Sequence, residues 1–172
     1  MDFVDRLSTT SFLGREFLTW LWFKSDSQEG LMDLDDGGPA AEVWLTDRIT
    51  LSGSGDGAEK VTVKTDDPAL NIEARIALRQ GKMVEKACIR LVRGQREWTT
   101  SVVSETLALS SVKIPALLTR EEDEKLTERL SLLDELDSMM IALFQAFLKV
   151  RMDAETWAPE RDQLQAWIQT DL

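Results

Sequence analysis

Residues 12–23 read Phe-Leu-Gly-Arg-Glu-Phe-Leu-Thr-Trp-Leu-Trp-Phe, and this stretch decides how the chain is organised. Plotted at about 100° per residue, its apolar side chains nearly encircle a helix. A helix that is apolar almost all round has to be covered on more than one side. We therefore expect a helix from about Ser11 to Ser25 that lies between two layers of a core, or between the core and a partner.

The composition is ordinary for a globular protein, with 172 residues, 43% of them hydrophobic and 30% charged. The first residues include Asp2 and Asp5 instead of a basic start and a leucine-rich stretch, so no signal peptide is predicted. The apolar run is too short for a membrane span, and Arg15 and Glu16 interrupt it. The single cysteine, Cys88, fits a reducing compartment. We expect a cytoplasmic protein.

Residue types that usually carry catalysis or hold metals are scarce. The chain has no histidine and one cysteine, which argues against a zinc site and against histidine-dependent catalytic triads. The carboxylates Asp33, Asp35 and Asp36 precede Gly37 without the spacing of an EF-hand, so a solvated loop is expected there. The sequence thus predicts a protein without catalytic activity, and we expect no cofactor and no metal.

The middle of the chain predicts a mostly antiparallel sheet. Residues 25–41 are rich in Asp, Gly and Ser and indicate a loop. Asp67 and Pro68 are suited to opening a helix within the sheet region, and Gly81 to closing it. Strands are expected at Glu42–Thr46, Arg48–Ser52, Lys60–Lys64, Val84–Val92, Arg96–Val103 and Thr106–Ile114.

A long helix follows the sheet region. Thr119 and Glu122 have the spacing of a capping box, which predicts a helix from about Arg120 to Met152. Pro159 is expected to begin a short terminal helix.

Together these elements predict an α+β fold with helices before, within and after the sheet. We expect residues 1–118 to form the sheet module and residues 119–172 to form a helical module that packs on it, in one compact unit.

The net charge of −11 is distributed unevenly along the chain. Between residues 75 and 96, seven cations stand against the single acid Glu85, which gives that segment +6 and leaves −17 for the remainder. If the helical and strand surfaces of the segment join, they form a strip that could follow phosphates without reading bases. The alternative is a solvated surface with charges that point in different directions. The cations are Arg75, Arg79, Lys82, Lys86, Arg90, Arg93 and Arg96.

Two sets of side chains on the helices could contact a ligand or a partner. Arg15, Thr19 and Trp22 share the least apolar sector of the first helix, where the alternative is an arginine that lies over a half-buried tryptophan. The broad apolar surface of the first and long helices leaves room for association with another chain. Candidate interface residues are Phe12, Trp22, Phe23, Phe144 and Phe147.

Four stretches of the chain resemble a known family. They are Phe12–Trp22, Glu42–Leu51, Ala77–Lys82 and the Leu/Met/Phe-rich helix that ends near Arg151. They are similar to the C-terminal half of a divergent branch of the RdgC family, the recombination-associated proteins of bacteria. The first stretch is the most specific, and the likeness runs over most of the chain.

The resemblance implies a DNA-binding protein without catalytic activity. The best-known members of the family form a ring-shaped homodimer that surrounds duplex DNA without sequence preference and restrains RecA-driven recombination. They are also acidic overall, with their positive charge gathered inside the ring. Family members are considerably longer than this chain, which leaves three alternatives: a fragment, a stand-alone relative, or half of a split pair. The expected partner is a second copy in a homodimer, or another polypeptide that supplies the N-terminal half.

Two functions follow as hypotheses. The first is a nucleoid-associated protein that binds DNA, mainly duplex, without sequence specificity and modulates recombination. Its contacts would come from the seven cations of residues 75–96 together with Arg15. The second is a protein-interaction subunit, either part of a split RdgC-like complex or an acidic inhibitor, that docks a partner without touching DNA.

Overall fold

The computed structural model describes residues 3–54, 57–66 and 71–170, with side chains from residue 13 onward. Within that part of the chain, four helices and six antiparallel strands form the predicted α+β fold. The helices are α1 (Phe3–Ser27), α2 (Ile72–Arg79), α3 (Glu122–Arg151) and α4 (Ala154–Gln169). The strands are β1 (Leu31–Met32), β2 (Ala41–Ser52), β3 (Lys60–Thr65), β4 (Met83–Arg93), β5 (Arg96–Val103) and β6 (Leu109–Lys113).

The sheet is built around β2, which pairs with β4 along one edge. The sheet order is β1-β2-β4-β5-β6, and β1 and β3 pair with different parts of the other edge of β2. The sequence predicts two strands where the structure has this single one. A bulge explains the difference, because the pairing with β4 skips from Thr46 to Ile49 and Asp47 takes a positive φ of 64°.

Helix α1 lies between the sheet and the other long helices, as its all-round apolar pattern predicts. One side packs on β4 and β2, and the other meets α3 and α4. Leu18 and Leu21 are completely buried, and the ring of Trp20 packs on Phe147 of α3. The backbone of α1 approaches the end of β5 very closely at Gly14, where an added Cβ would lie 1.8 Å from the carbonyl oxygen of Ser104.

Several helix boundaries differ from the predicted ones. Helix α1 begins at Phe3, well before Ser11. Helix α2 begins after Asn71, whose side chain accepts a hydrogen bond from the Ala74 N–H, while Asp67 and Pro68 lie outside the described residues.

The caps of α3 and α4 also differ from the predicted ones. The N-cap of α3 is Glu121 and not Thr119, whose hydroxyl donates to the Glu124 carboxylate at 2.8 Å and accepts a hydrogen bond from the Glu121 N–H at 3.3 Å. Asp153 caps α4 ahead of Ala154, so Pro159 lies inside that helix and does not begin it.

The helical segment after residue 119 shares one core with the sheet region. Met139 and Phe147 of α3 and Trp167 of α4 belong to the same buried cluster as α1 and the inner side chains of β2 and β4. The helices therefore lie on one face of the sheet, which we call the covered face.

Candidate nucleic-acid interface

The opposite face of the sheet carries no helix of the described chain, and we call it the open face. Strand alternation assigns its residues, since the intervening ones are buried under the helices. On β4, for example, Ala87, Ile89 and Leu91 are fully buried on the covered face. The open face includes Trp44, Thr46, Arg48 and Thr50 of β2, Thr62 and Lys64 of β3, Lys86, Cys88, Arg90 and Val92 of β4, Thr99, Ser101 and Val103 of β5, and Lys113 of β6.

Besides Lys60, which pairs with Glu85 at the end of the sheet, five cations lie on the open face, and strand pairing brings them together. Arg48 is directly opposite Lys64, which places these two side chains next to each other across β2 and β3. Arg90 is opposite Thr99, and Thr99 is opposite Lys113, so these two cations are two strands apart. With strands about 4.8 Å apart, that separation is about 10 Å. Lys86 is opposite Thr50, between the two groups.

Four of these cations are outside every ion pair that the described part of the chain forms. Arg48, Lys64, Lys86 and Lys113 are exposed and form no ion pair with a described carboxylate. Arg90 has Glu97 at 3.9 Å and keeps 42% of its side chain exposed. An ion pair at that distance on an exposed surface contributes little, so Arg90 remains able to contact an anion.

The described strands bring three carboxylates to the open face, two at one margin and one near its centre. Glu42 and Glu97 both pair with Val92, close to the turn between β4 and β5. Asp47 lies in the β2 bulge, near Cys88. The open face is therefore richer in cations than in acids, although the whole chain has a net charge of −11.

Cys88 lies in the centre of the open face, half-buried between its neighbours. Burial raises the pKa of its thiol, Asp47 raises it further, and Lys113 and Ser101 partly oppose that rise. The thiol is therefore protonated at neutral pH and is not an activated nucleophile.

The predicted continuous strip of residues 75–96 does not form. Arg75 is only 4% exposed, and its Nη2 donates to the carbonyl oxygens of Trp167 and Thr170 at 2.7 and 3.3 Å. Its guanidinium also stacks on the Trp167 ring, 4.5 Å from the centroid. Burial lowers the pKa of Arg75. Arg75 thus holds the end of α4 and is not available to a phosphate.

Arg79 and Lys82 are also committed within the fold. Arg79 donates to the carbonyl oxygens of residues 168, 169 and 170 at 3.2, 3.4 and 2.8 Å. Lys82 is 8% exposed, and its Nζ bonds to Glu59 at 3.0 Å and to Gln80 at 3.1 Å. Arg75 and Arg79 share the side of α2 that meets the end of α4, as their spacing predicts, whereas Lys82 follows the end of α2 at Arg79 and faces the loop before β3.

Arg93 and Arg96 flank the β4–β5 turn and are each paired with an acid. Arg93 donates to Asp36 at 2.8 Å, and Arg96 donates to Glu135 of α3 at 2.7 Å. The bond from Arg93 holds the pKa of the Asp36 carboxyl below its ordinary value, with the Gly38 N–H assisting. Of the predicted contacts in residues 75–96, only Lys86 and Arg90 lie on the open face.

Arg15 lies at the end of the sheet on the α1 side. Its Nη1 donates to the Gly53 carbonyl oxygen at 2.8 Å, and its side chain lines a polar cavity of about 350 Å³. Glu85 and Lys60 form an ion pair of 2.6 Å in the same cavity. Burial opposes ionisation of Glu85, but the hydrogen bond from Lys60 and the positive charges of Lys60 and Arg15 outweigh it, so the pKa of this carboxyl is lowered. The cavity is electrically balanced and is separate from the five cations.

The predicted partner interface is largely part of the core. Trp22, Phe23 and Phe147 are 2%, 5% and 0% exposed, because α1, α3 and α4 cover one another. Phe144 is half-buried with its ring edge against Phe17. The Phe12 side chain lies outside the described residues.

Sequence reasoning missed Arg48, Lys64 and Lys113 as candidate contacts. A local signal did exist for Lys64, since Lys60, Thr62 and Lys64 alternate with apolar residues in the predicted third strand. Their proximity to Lys86 and Arg90 depends on which strands pair and in which register, and the sequence pattern does not contain that information.

The chain matches no protein-family model and no curated protein. Among the helices of the described residues, none combines the length and the hydrophobicity that a bilayer crossing needs.

Proposed function

We propose that this chain binds nucleic-acid backbone, without sequence specificity and without catalysis, through the open face of its sheet. The observation that carries the proposal is that four exposed cations, none of them in an ion pair with a described residue, lie on one sheet face of an otherwise acidic molecule. Arg48, Lys64, Lys86 and Lys113 are the main phosphate contacts, and Arg90 assists. Long basic side chains on a flat surface neutralise phosphates and release their counterions.

The distribution of polar groups around these cations supports a contact with phosphates over a contact with base edges. Thr50, Thr62, Thr99 and Ser101 separate the cations. The Thr50 and Thr62 hydroxyls bond to each other at 3.1 Å, which leaves one proton of that pair, together with those of Thr99 and Ser101, to donate to phosphate oxygens. The acidic helices lie on the covered face, so repulsion orients a polyanion towards the open face.

The likeness to the RdgC family favours duplex DNA as the physiological ligand and recombination as the setting. The proposal differs from the sequence-based hypothesis in the residues that it uses. Arg75, Arg79, Lys82, Arg93, Arg96 and Arg15 are replaced as contacts by Arg48, Lys64 and Lys113, because the former are committed to bonds within the fold.

The test is a titration of the protein against a fluorescein-labelled duplex of about 20 base pairs, followed by anisotropy at several NaCl concentrations. The logarithm of the affinity should fall linearly with the logarithm of salt, with a slope of about −0.9 for each phosphate contact. In the variant Arg48→Gln, Lys64→Gln, Lys86→Gln, Lys113→Gln, the magnitude of the slope should fall by about 3 to 4.

A matched control separates a local contact from the general effect of net charge. The variant Arg120→Gln, Arg129→Gln, Lys149→Gln, Arg161→Gln removes the same number of charges from the helical side. It should retain most of the affinity and most of the slope. Equal losses in the two variants, or no binding by the wild-type chain at about 50 mM salt, would reject the proposal.

A further inference from the structure

We propose that α3 carries a second binding surface, independent of the open face, which takes a basic amphipathic helix from another protein. The surface consists of Leu126, Leu130, Leu133 and Ile141, and we call it the α3 stripe. These residues are 63%, 58%, 41% and 50% exposed. Their spacing of i, i+4, i+7 and i+15 places them along one side of the helix.

The α3 stripe differs from scattered surface leucines in its spacing. Leu126, Leu130 and Leu133 follow the alternating 4 and 3 separations of a coiled-coil seam, and this side of the helix continues into the half-buried Phe144. An amphipathic helix can pack its own apolar side chains into a seam of this kind. The first half of α3 thus has the shape of one partner in a two-helix contact.

The course of α1 leaves the α3 stripe uncovered. Glu16 of α1 bonds to Arg151 at 2.7 Å, and Trp20, one turn later, packs on Phe147, so the two helices run antiparallel. The start of α1 therefore runs towards the C-terminal end of α3, away from Leu126. On another flank of α3, Glu128 accepts hydrogen bonds from the N–H groups of residues 118 and 119 at 2.7 and 3.0 Å.

Charge selects the partner. Asp137 lies within the stripe between Leu133 and Ile141, and Asp123 and Asp134 lie along one edge of it. All three carboxylates are exposed and form no ion pair within the described residues, whereas Arg129 is the only exposed cation beside the stripe without such a pair. An apolar seam flanked by carboxylates complements a helix with lysines or arginines beside its apolar face.

A second copy of this chain is a poor fit for the same reason. Self-association would bring Asp137 within the stripe, and Asp123 and Asp134 along its edge, against an identical stripe with the same excess of carboxylates. Like charges placed opposite each other in a helix pair oppose that pairing. The partner is therefore a different protein, and self-association of this chain through the α3 stripe would contradict the proposal.

The probe is a labelled synthetic peptide of about three heptads with leucine at positions a and d, lysine at e and g, and alanine elsewhere. Its affinity is measured by anisotropy at about 150 mM salt and compared with that of a peptide that has glutamate at e and g. Wild-type protein should bind the lysine peptide at least tenfold more tightly than the glutamate peptide.

Two pairs of variants locate the contact. Leu130→Ala with Leu133→Ala, and separately Asp134→Asn with Asp137→Asn, should each weaken peptide binding, by about tenfold and by several-fold respectively. The controls are Ile76→Ala, a similarly exposed apolar residue on α2, and Glu73→Gln, an exposed acid there. Neither control should change the affinity.

Three outcomes would overturn this inference. They are equal binding of the two peptides, losses in the control variants as large as those in the α3 variants, and a wild-type dimer in light scattering that dissociates when Leu130 and Leu133 are replaced. Failure of DNA binding in the four-cation variant bears only on the open face. The two proposals therefore stand or fall separately.

Discussion

Alternate residues of β4 face opposite sides of the sheet and have opposite environments. Ile89 and Leu91 are completely buried beneath the helices, while Lys86 and Arg90 project from the open face. The covered face is required for folding, because its apolar area stabilises the contact with α1. The open face does not pack against α1, so its side chains are available to contact a ligand. The comparison separates residues that carry stability from residues that are available for binding.

The largest loss of stability is expected where three helices meet on the covered side. Phe147 is fully buried and packs on Phe17, Trp20 and Trp157, with ring centroids 5.7, 5.5 and 6.3 Å away. Phe147→Ala should lower the free energy of unfolding by about 3–5 kcal/mol. Urea denaturation measures this loss, and Phe144→Ala, at a half-buried position, should lower the free energy of unfolding by less. An equal loss for the two variants would contradict the assignment of Phe147 to the centre of the core.

The close approach of α1 to the sheet gives the next largest effect. An alanine Cβ at Gly14 would lie 1.8 Å from the Ser104 carbonyl oxygen, and backbone cannot move away as a flexible side chain can. Gly14→Ala should therefore destabilise the fold by about 3 kcal/mol, although alanine has a higher helix propensity than glycine. Gly53→Ala is the control, because its Cβ would meet only the Ala58 methyl at an ordinary 3.5 Å. A stabilised Gly14→Ala protein would show that α1 sits farther from the sheet.

These first two positions also show what sequence can and cannot provide. The apolar encirclement of residues 12–23 predicts a helix between two layers because periodicity is a local property. The role of Gly14 depends on a carbonyl 90 residues away in the chain, at Ser104, which no local pattern encodes.

The candidate site shows the same limit more strongly. Helical spacing placed Arg75 on the polar side of α2, but the end of α4 covers that side and uses the arginine as a hydrogen-bond donor. Conversely, Arg48 and Lys113 gain significance only from the pairing of β2 with β3 and of β5 with β6. The sequence shows how many cations the chain has. It does not show which of them lie side by side, because that depends on the register in which the strands pair.

Arg75 allows a direct test of whether a cation is structural or available to a ligand. Arg75→Met keeps the bulk of the side chain but removes the bonds to the Trp167 and Thr170 carbonyls. It should cost about 2 kcal/mol in unfolding free energy and raise amide exchange near the end of α4. Duplex affinity should not change. A normal stability together with weaker DNA binding would return Arg75 to the nucleic-acid interface.

Low pH should lower the free energy of unfolding, because some carboxylates accept hydrogen bonds in their ionised form in the folded protein. Arg93 lowers the pKa of Asp36, and the N–H groups of Leu118 and Thr119 lower that of Glu128. Since the unfolded chain titrates near 3.8 for Asp and 4.5 for Glu, their contribution is complete above those values and is lost as pH falls through the lower folded pKa values.

The Glu128 contribution can be isolated with one variant. Glu128→Gln should show a smaller fall in unfolding free energy between about pH 7 and pH 3 than the wild-type protein, by urea denaturation at each pH. Glu155→Gln, an exposed acid at the start of α4, is a matched control. A pH dependence that is the same in the wild type and in Glu128→Gln would show that these backbone bonds do not favour the carboxylate.

The smallest effect on stability is expected on the open face. Lys86→Gln and Lys64→Gln remove exposed charges that have no ion pair in the described structure, so each should change unfolding free energy by less than about 0.5 kcal/mol. Removing these cations can even relieve local repulsion, because Arg48 lies directly opposite Lys64. A loss as large as that of Arg75→Met would mean that these lysines support the fold. Unchanged stability with a lower salt dependence of duplex binding would mean that the open face retains them for a polyanion.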